Sequence, residues 1–174
     1  IKLPNKKAHT STENGLTVKS RTITPPLNDR TLIIDGDILI YKIAAQTEVP
    51  TDWGNNLWTL HSDFKEARDK LADTIYYYET TLISKRIVIA LGSKGNFRKR
   101  INPTYKSNRK ATRKPTVYNP LREWVEENYK CISFPDLEGD DVMGLLATSD
   151  NIIKGEKTLL TSDKDLKTIP ATHW

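Results

Sequence analysis

Apolar residues along this chain fall into four short unbroken runs, separated by stretches in which they recur every three or four positions. The runs are Thr31 to Asp35 (TLIID), Arg86 to Leu91 (RIVIAL), Lys130 to Phe134 (KCISF) and Lys157 to Ser162 (KTLLTS). Rich in β-branched residues and closed by glycine, proline or acidic residues, they read as strands buried on both faces. Between them, Ile38 to Ala45 reads as a helix. Leu60, Phe64, Ala67, Leu71, Ile75, Tyr78 and Leu82 step by three and four, which predicts a long amphipathic helix over 60–82. Residues 118–129 and 140–148 are helical in pattern, and Asp163 to Thr168 follows the last strand. Pro50 to Trp58 reads as a loop rich in polar residues and tryptophan. Residues 1–29 carry Pro4, Pro25 and Pro26 and no sustained period, which predicts a flexible or draped polar arm.

Strands alternating with helices define an α/β class with a mostly parallel central sheet and flanking helices. In such sheets polar groups at strand C-termini gather along one edge and build the site. The 174 residues suffice for one globular unit over 30–174 beside the arm. No apolar run reaches membrane-spanning length, and the N-terminus lacks a signal-peptide core. The single cysteine, Cys131, excludes an intrachain disulfide and reads as an inert thiol in a reducing compartment. A cytoplasmic protein without a membrane partner is expected.

Charge sharpens this picture through its distribution. The net charge is +5, yet Arg98, Lys99, Arg100, Lys106, Arg109, Lys110, Arg113 and Lys114 place eight cations in 17 residues with no acid among them. The rest of the chain sums to −3. Such a patch suits phosphate contact, and Tyr105 within it could stack on an unpaired base. If helical, the 13 residues from Pro103 to Pro115 would extend roughly 20 Å, enough to bridge a single strand. The plain alternative is a solvated basic loop.

The acids cluster at matching topological places. Asp35 and Asp37 follow the first strand, Glu138, Asp140 and Asp141 the third, and Asp163 and Asp165 the fourth. In a parallel sheet these seven carboxylates meet on one edge, where two of them about 4 Å apart repel by roughly 4 kcal/mol at an effective dielectric near 20. Oxygen donors without clustered His or Cys suit Mg²⁺ or Mn²⁺. Two such ions about 3.5 to 4 Å apart can activate water and stabilise the leaving oxygen of a phosphodiester. For Asp140 or Asp163 taken alone, helix capping is the simpler explanation. Repetition at three strand ends favours a metal edge.

The motifs "IIDGD", "NFRKRINPTYKSNRKATRKP", "LEGDDVMG" and "SDKDLKTIP", in that order, resemble those of the 5′-to-3′ exonucleases and flap endonucleases of phages and bacteria, metal-dependent nucleases of the PIN-like class. The likeness runs from Thr31 to about Pro170 and is greatest to the exonucleases of podovirus-type phages. It implies a catalytic set of Asp35, Glu138, Asp140, Asp141, Asp163 and Asp165, all holding metal, with Lys106 assisting and Asp37 a neighbour. It implies two Mg²⁺ ions, with Mn²⁺ able to substitute. Arg98, Tyr105, Lys106, Asn108, Arg109, Lys110 and Arg113 would bind nucleic acid, most of them in a helical arch that admits a 5′ single strand. The implied partners are DNA with 5′ ends or flaps and RNA–DNA hybrids, acted on by a monomer during phage-type DNA replication in the host cytoplasm.

Two departures stand out. Many relatives carry an Asp shortly after the second strand, where Ser93 stands here, and the chain stops before the family's last aspartates and its helix-three-turn-helix. The sequence is therefore expected to be a fragment. Two other readings are a haloacid-dehalogenase-like phosphatase using Asp35 as nucleophile, whose motif order does not match, and a non-catalytic nucleic-acid-binding module.

Overall fold

The computed structural model describes residues 30–107 and 113–174. The predicted arm at 1–29, and Asn108, Arg109 and Lys110 of the basic segment, lie outside the described residues. In chain order the elements are β1 (Thr31–Asp35), α1 (Gly36–Gln46), β2 (Val49–Asp52), β3 (Trp58–His61), α2 (Phe64–Thr81), β4 (Arg86–Ala90), α3 (Phe97–Ile101), α4 (Tyr118–Asn128), β5 (Cys131–Ile132), α5 (Gly139–Thr148), β6 (Lys157–Leu160), a 3-10 helix (Lys164–Thr168) and β7 (Thr172–His173).

Five strands form one sheet in the order β5-β4-β1-β6-β7, and every pairing is parallel. β1 is central, with Asp35 opposite Ala90 of β4. Successive side chains of a strand point to opposite faces, so a central strand must be apolar throughout. Leu32 and Ile34 accordingly pack with α1, α2 and α4, through Ile43, Leu71 and Leu121 among others. Ile33 packs the other way, against Val142, Met143 and Leu146 of α5. The C-terminal ends of β1, β4 and β6 therefore open on one edge between the two helical layers.

Three features differ from the sequence expectation. Residues 49–61, read as a loop and the start of a helix, form an antiparallel hairpin of β2 and β3, with Trp53 and Trp58 exposed. Leu60 continues the spacing of α2, but Asp63 caps that helix by accepting hydrogen bonds from Lys65 N and Glu66 N, and so fixes its start. α3 and β7 are too short to show a period. Within the basic segment, Pro103 to Lys106 form turns, so the continuous 13-residue helix is absent from its described part.

Candidate active site

Each acidic cluster is delivered by the element that precedes or follows a strand end. Asp35 closes β1 and caps α1: its Oδ1 accepts from Ile38 N at 3.1 Å and its Oδ2 from the Thr161 hydroxyl at 2.9 Å. Asp163, just past β6, caps the 3-10 helix by accepting from Asp165 N at 2.9 Å. Capping and membership of an acidic edge thus coexist in both residues. Asp140 is not a cap; Glu138 holds that position on α5, and its backbone N–H donates to Asp141 Oδ2 at 3.1 Å. Asp165 is exposed on the first turn of the 3-10 helix.

The carboxylates divide electrostatically into two groups. Asp35, only 3% exposed, has its pKa pushed up to about 6, chiefly by burial, with Asp140 and Asp37 adding repulsion. Asp140 is exposed as a residue, yet its carboxyl is partly desolvated. Its pKa is raised by desolvation first and by Asp163 next. Among the described residues neither of these two, nor Asp163, forms an ion pair.

Glu138 and Asp141 are the opposite case. Asp141 sits in the fork of Arg98, with Nη1 to Oδ2 at 2.6 Å and Nη2 to Oδ1 at 2.7 Å. Glu138 accepts from Lys106 Nζ at 2.7 Å, from the Tyr105 hydroxyl at 2.9 Å and from Arg98 Nη1 at 3.3 Å. The Arg98 fork holds the Asp141 carboxyl below its ordinary range. For Glu138, partial burial works against ionisation, but Lys106 and Tyr105 outweigh it and the pKa falls.

Several of the residues expected to grip a strand therefore grip the protein here. Arg113 forms a second fork, on Glu48, and lowers the Glu48 pKa to about 2. Tyr105 lies between two cations, 6.0 Å from the Arg98 guanidinium and 5.1 Å from Lys106 Nζ. Ser93 turns its hydroxyl to Gly95 O at 2.9 Å within the loop after β4.

Asp37 is held by its own set of partners and ties the layers together. Its Oδ2 accepts from Gly92 N at 2.7 Å, and its Oδ1 from Arg122 Nη1 at 2.8 Å and the Tyr118 hydroxyl at 3.3 Å. Arg122 also donates to Gly92 O at 2.7 Å. A Cβ at Gly92 would stand 2.8 Å from Asp37 Oδ2 and 3.0 Å from Gly139 N, so this junction requires glycine for its close approach. Arg122 and Glu48 escaped the sequence reading. For Arg122 a signal existed, because it falls within the stripe Tyr118, Leu121, Val125 of α4, where a cation needs a buried partner.

The donor set is entirely oxygen, two of its carboxyls are raised by burial first and by neighbouring carboxylates after it, and a hard divalent cation would relieve them. Among the described residues no three carboxylate, imidazole or thiol groups yet converge on one point, so binding an ion requires side chains to turn inward.

A parallel α/β domain with acids collected on the strand-end edge is the class defined so far. The family model described as the 5′-3′ exonuclease, N-terminal resolvase-like domain, matches residues 30–173, and the chain belongs to that family. It is 39% identical over 146 residues to an exodeoxyribonuclease of Enterobacteria phage T3, covering 80% of this chain and 48% of that protein. It is 38% identical over 146 residues to an exonuclease of Escherichia phage T7, covering 80% and 49%. The chain thus spans about half the length of the curated relatives it matches. Among solved structures, it resembles the T5 D15 protein co-crystallised with metal ions, at a TM-score of 0.54 and 18% identity, over 80% of this chain and 50% of that one. A T5 D15 flap endonuclease complex with DNA and metal ions gives a TM-score of 0.56 at 15% identity, over 80% and 51%. These structural likenesses establish the fold. Family membership displaces the phosphatase reading of Asp35.

Proposed function

We propose that this chain carries the catalytic site of a divalent-metal-dependent 5′-to-3′ exonuclease and flap endonuclease. Its substrates would be phosphodiester bonds at DNA 5′ ends or flaps and RNA primers in RNA–DNA hybrids, met during phage-type replication in the host cytoplasm. The observation that carries this reading is the group of Asp35, Asp140 and Asp163, none of them ion-paired among the described residues and two of them with carboxyls raised in pKa, set beside a basic segment. These three would hold Mg²⁺, or Mn²⁺ in its place, with Glu138, Asp141 and Asp165 completing the set for two ions. The ions when bound supply Lewis-acid stabilisation and an activated water.

The chain's own residues set the rest. Thr161 and Ile38 N orient the Asp35 carboxylate. Lys106, held at the acidic edge by Glu138, is placed to meet a phosphate oxygen that approaches the cluster. Asn108, Arg109 and Lys110 extend the same segment and would follow the strand.

A labelled 5′-flap duplex incubated with this chain should be shortened in Mg²⁺ and left intact in EDTA. Asp140→Ala and Asp163→Ala should each abolish cleavage while the duplex is still bound. Undiminished cleavage in both variants would refute the site. Binding without cleavage, together with no heat of divalent-metal binding, would instead support a non-catalytic nucleic-acid-binding module.

A further inference from the structure

Arg98 was expected to touch the nucleic acid, yet its geometry commits it elsewhere. Both terminal nitrogens of its guanidinium are spent on Asp141, at 2.6 and 2.7 Å, and Nη1 also reaches Glu138. One face of the group lies 4.7 Å from the Phe97 ring centre, so the side chain is packed as well as paired. Asp141 Oδ2 in turn accepts from Glu138 N, the bond that fixes the first turn of α5 and with it the place of Asp140. A planar fork on a carboxylate sets its orientation in a way a point charge does not.

We propose that Arg98 is a positioning residue, acting through Asp141 and Glu138 to hold the N-terminal turn of α5 against the acidic edge rather than contacting the substrate strand. The proposal rests on the metal-dependent reading above. It differs from a strand contact in what it predicts when no nucleic acid is present.

The test uses the full chain and the variants Arg98→Lys, Asp141→Asn and the double variant, with Arg98→Gln as a second probe. Arg98→Lys keeps the charge but loses the fork, so Mn²⁺, titrated calorimetrically without nucleic acid, should bind at least threefold more weakly. In the Asp141→Asn background the same substitution should change Mn²⁺ affinity less than twofold, because its effect runs through Asp141. In EDTA, the salt dependence of 5′-tailed duplex binding should be the same for Arg98→Gln and the parent. Circular dichroism melting verifies that each variant is folded. If Arg98→Lys leaves Mn²⁺ affinity unchanged, or Arg98→Gln lowers the salt slope by about 0.7 as a lost single-strand phosphate contact would, the proposal is overturned. If Arg98→Lys or Arg98→Gln fails to fold, Phe97→Leu, which removes the ring packed on the guanidinium and keeps every carboxylate, must weaken Mn²⁺ at least twofold, and an unchanged affinity there also overturns it. Failure of the parent chain to bind Mn²⁺ would remove the functional reading itself, and is distinct from normal binding by both parent and Arg98→Lys.

Discussion

Asp35→Asn should stabilise the metal-free chain at neutral pH. Asp35 is 3% exposed, and its pKa rises from the ordinary 3.8 to about 6, mainly through burial. Well below pH 3.8 the group is neutral in the folded and unfolded chains alike, and the substitution changes little. Between 3.8 and about 6 the unfolded chain has released the proton that the folded chain retains, so native stability falls as pH rises through that interval. At neutral pH the loss is complete and amounts to about 3 kcal/mol, taking roughly 1.4 kcal/mol per pH unit. Asparagine keeps an oxygen for Ile38 N–H. Its amide, however, would face the Thr161 hydroxyl, which donates to Asp35 and already accepts from Asp163 N. Turning that hydroxyl returns about 1 kcal/mol. The net gain is about 2 kcal/mol, or a melting-temperature rise of about 4–8 °C for a chain of this size. Urea denaturation in EDTA at pH 7.5, 5 and 4 measures it. A variant no more stable than the parent at pH 7.5, or a gain that persists undiminished at pH 4, would refute the reasoning. Under the proposed function, adding Mg²⁺ should stabilise the parent and leave Asp35→Asn unmoved.

Two further expectations concern the cations and the clamp. Lys106→Ala should slow flap cleavage about 10- to 100-fold, the equivalent of one charge-assisted hydrogen bond, and lower the salt slope of single-strand binding by about 0.7; an unchanged rate and slope would place Lys106 on the protein alone. Gly92→Ala, which brings a methyl to 2.8 Å from Asp37 Oδ2, should cost about 1–3 kcal/mol in chemical denaturation as an overpacking change; a neutral result would show the Asp37 clamp to be slack.

The central sheet was legible because strands buried on both faces need unbroken apolar runs, and β1, β4 and β6 each satisfy that need. The nearness of Asp35, Asp140 and Asp163 was legible for the same reason, since parallel strands deliver their C-terminal residues to one side, although no three of the carboxylates converge on one point among the described residues. The hairpin was not, because Leu60 and Phe64 prolong the spacing of α2 and only the capping bonds of Asp63 mark where the helix starts. Nor were the partners of the arginines. Arg98 meets Asp141 43 residues away, Arg113 meets Glu48 at 65, and Arg122 meets Asp37 at 85. Such pairings follow from how layers stack, and no spacing in the chain encodes them.

That non-local pairing changes what the basic segment can do. Counted along the sequence, eight cations wait for phosphates. In the fold, Arg98, Arg100, Lys106 and Arg113 each hold a carboxylate, and Lys114 lies 4.0 Å from the centre of the Tyr118 ring. An arginine forked on a carboxylate must give up that pairing before it can release a counterion from nucleic acid, so it contributes little to salt-dependent affinity. The forks at Arg98 and Arg113 instead pin the two ends of the segment, one to α5 and the other to Glu48 at the turn between α1 and β2. Lys106, a single charge on a flexible stem, stands between them on Glu138. Its backbone adopts the left-handed conformation, φ 52°, which costs a non-glycine residue of order 1–3 kcal/mol and persists only where its surroundings hold it. Among its described residues the segment is thus anchored by arginines, while Lys106 holds its carboxylate through a single charge on a flexible stem that can exchange partners without undoing either fork.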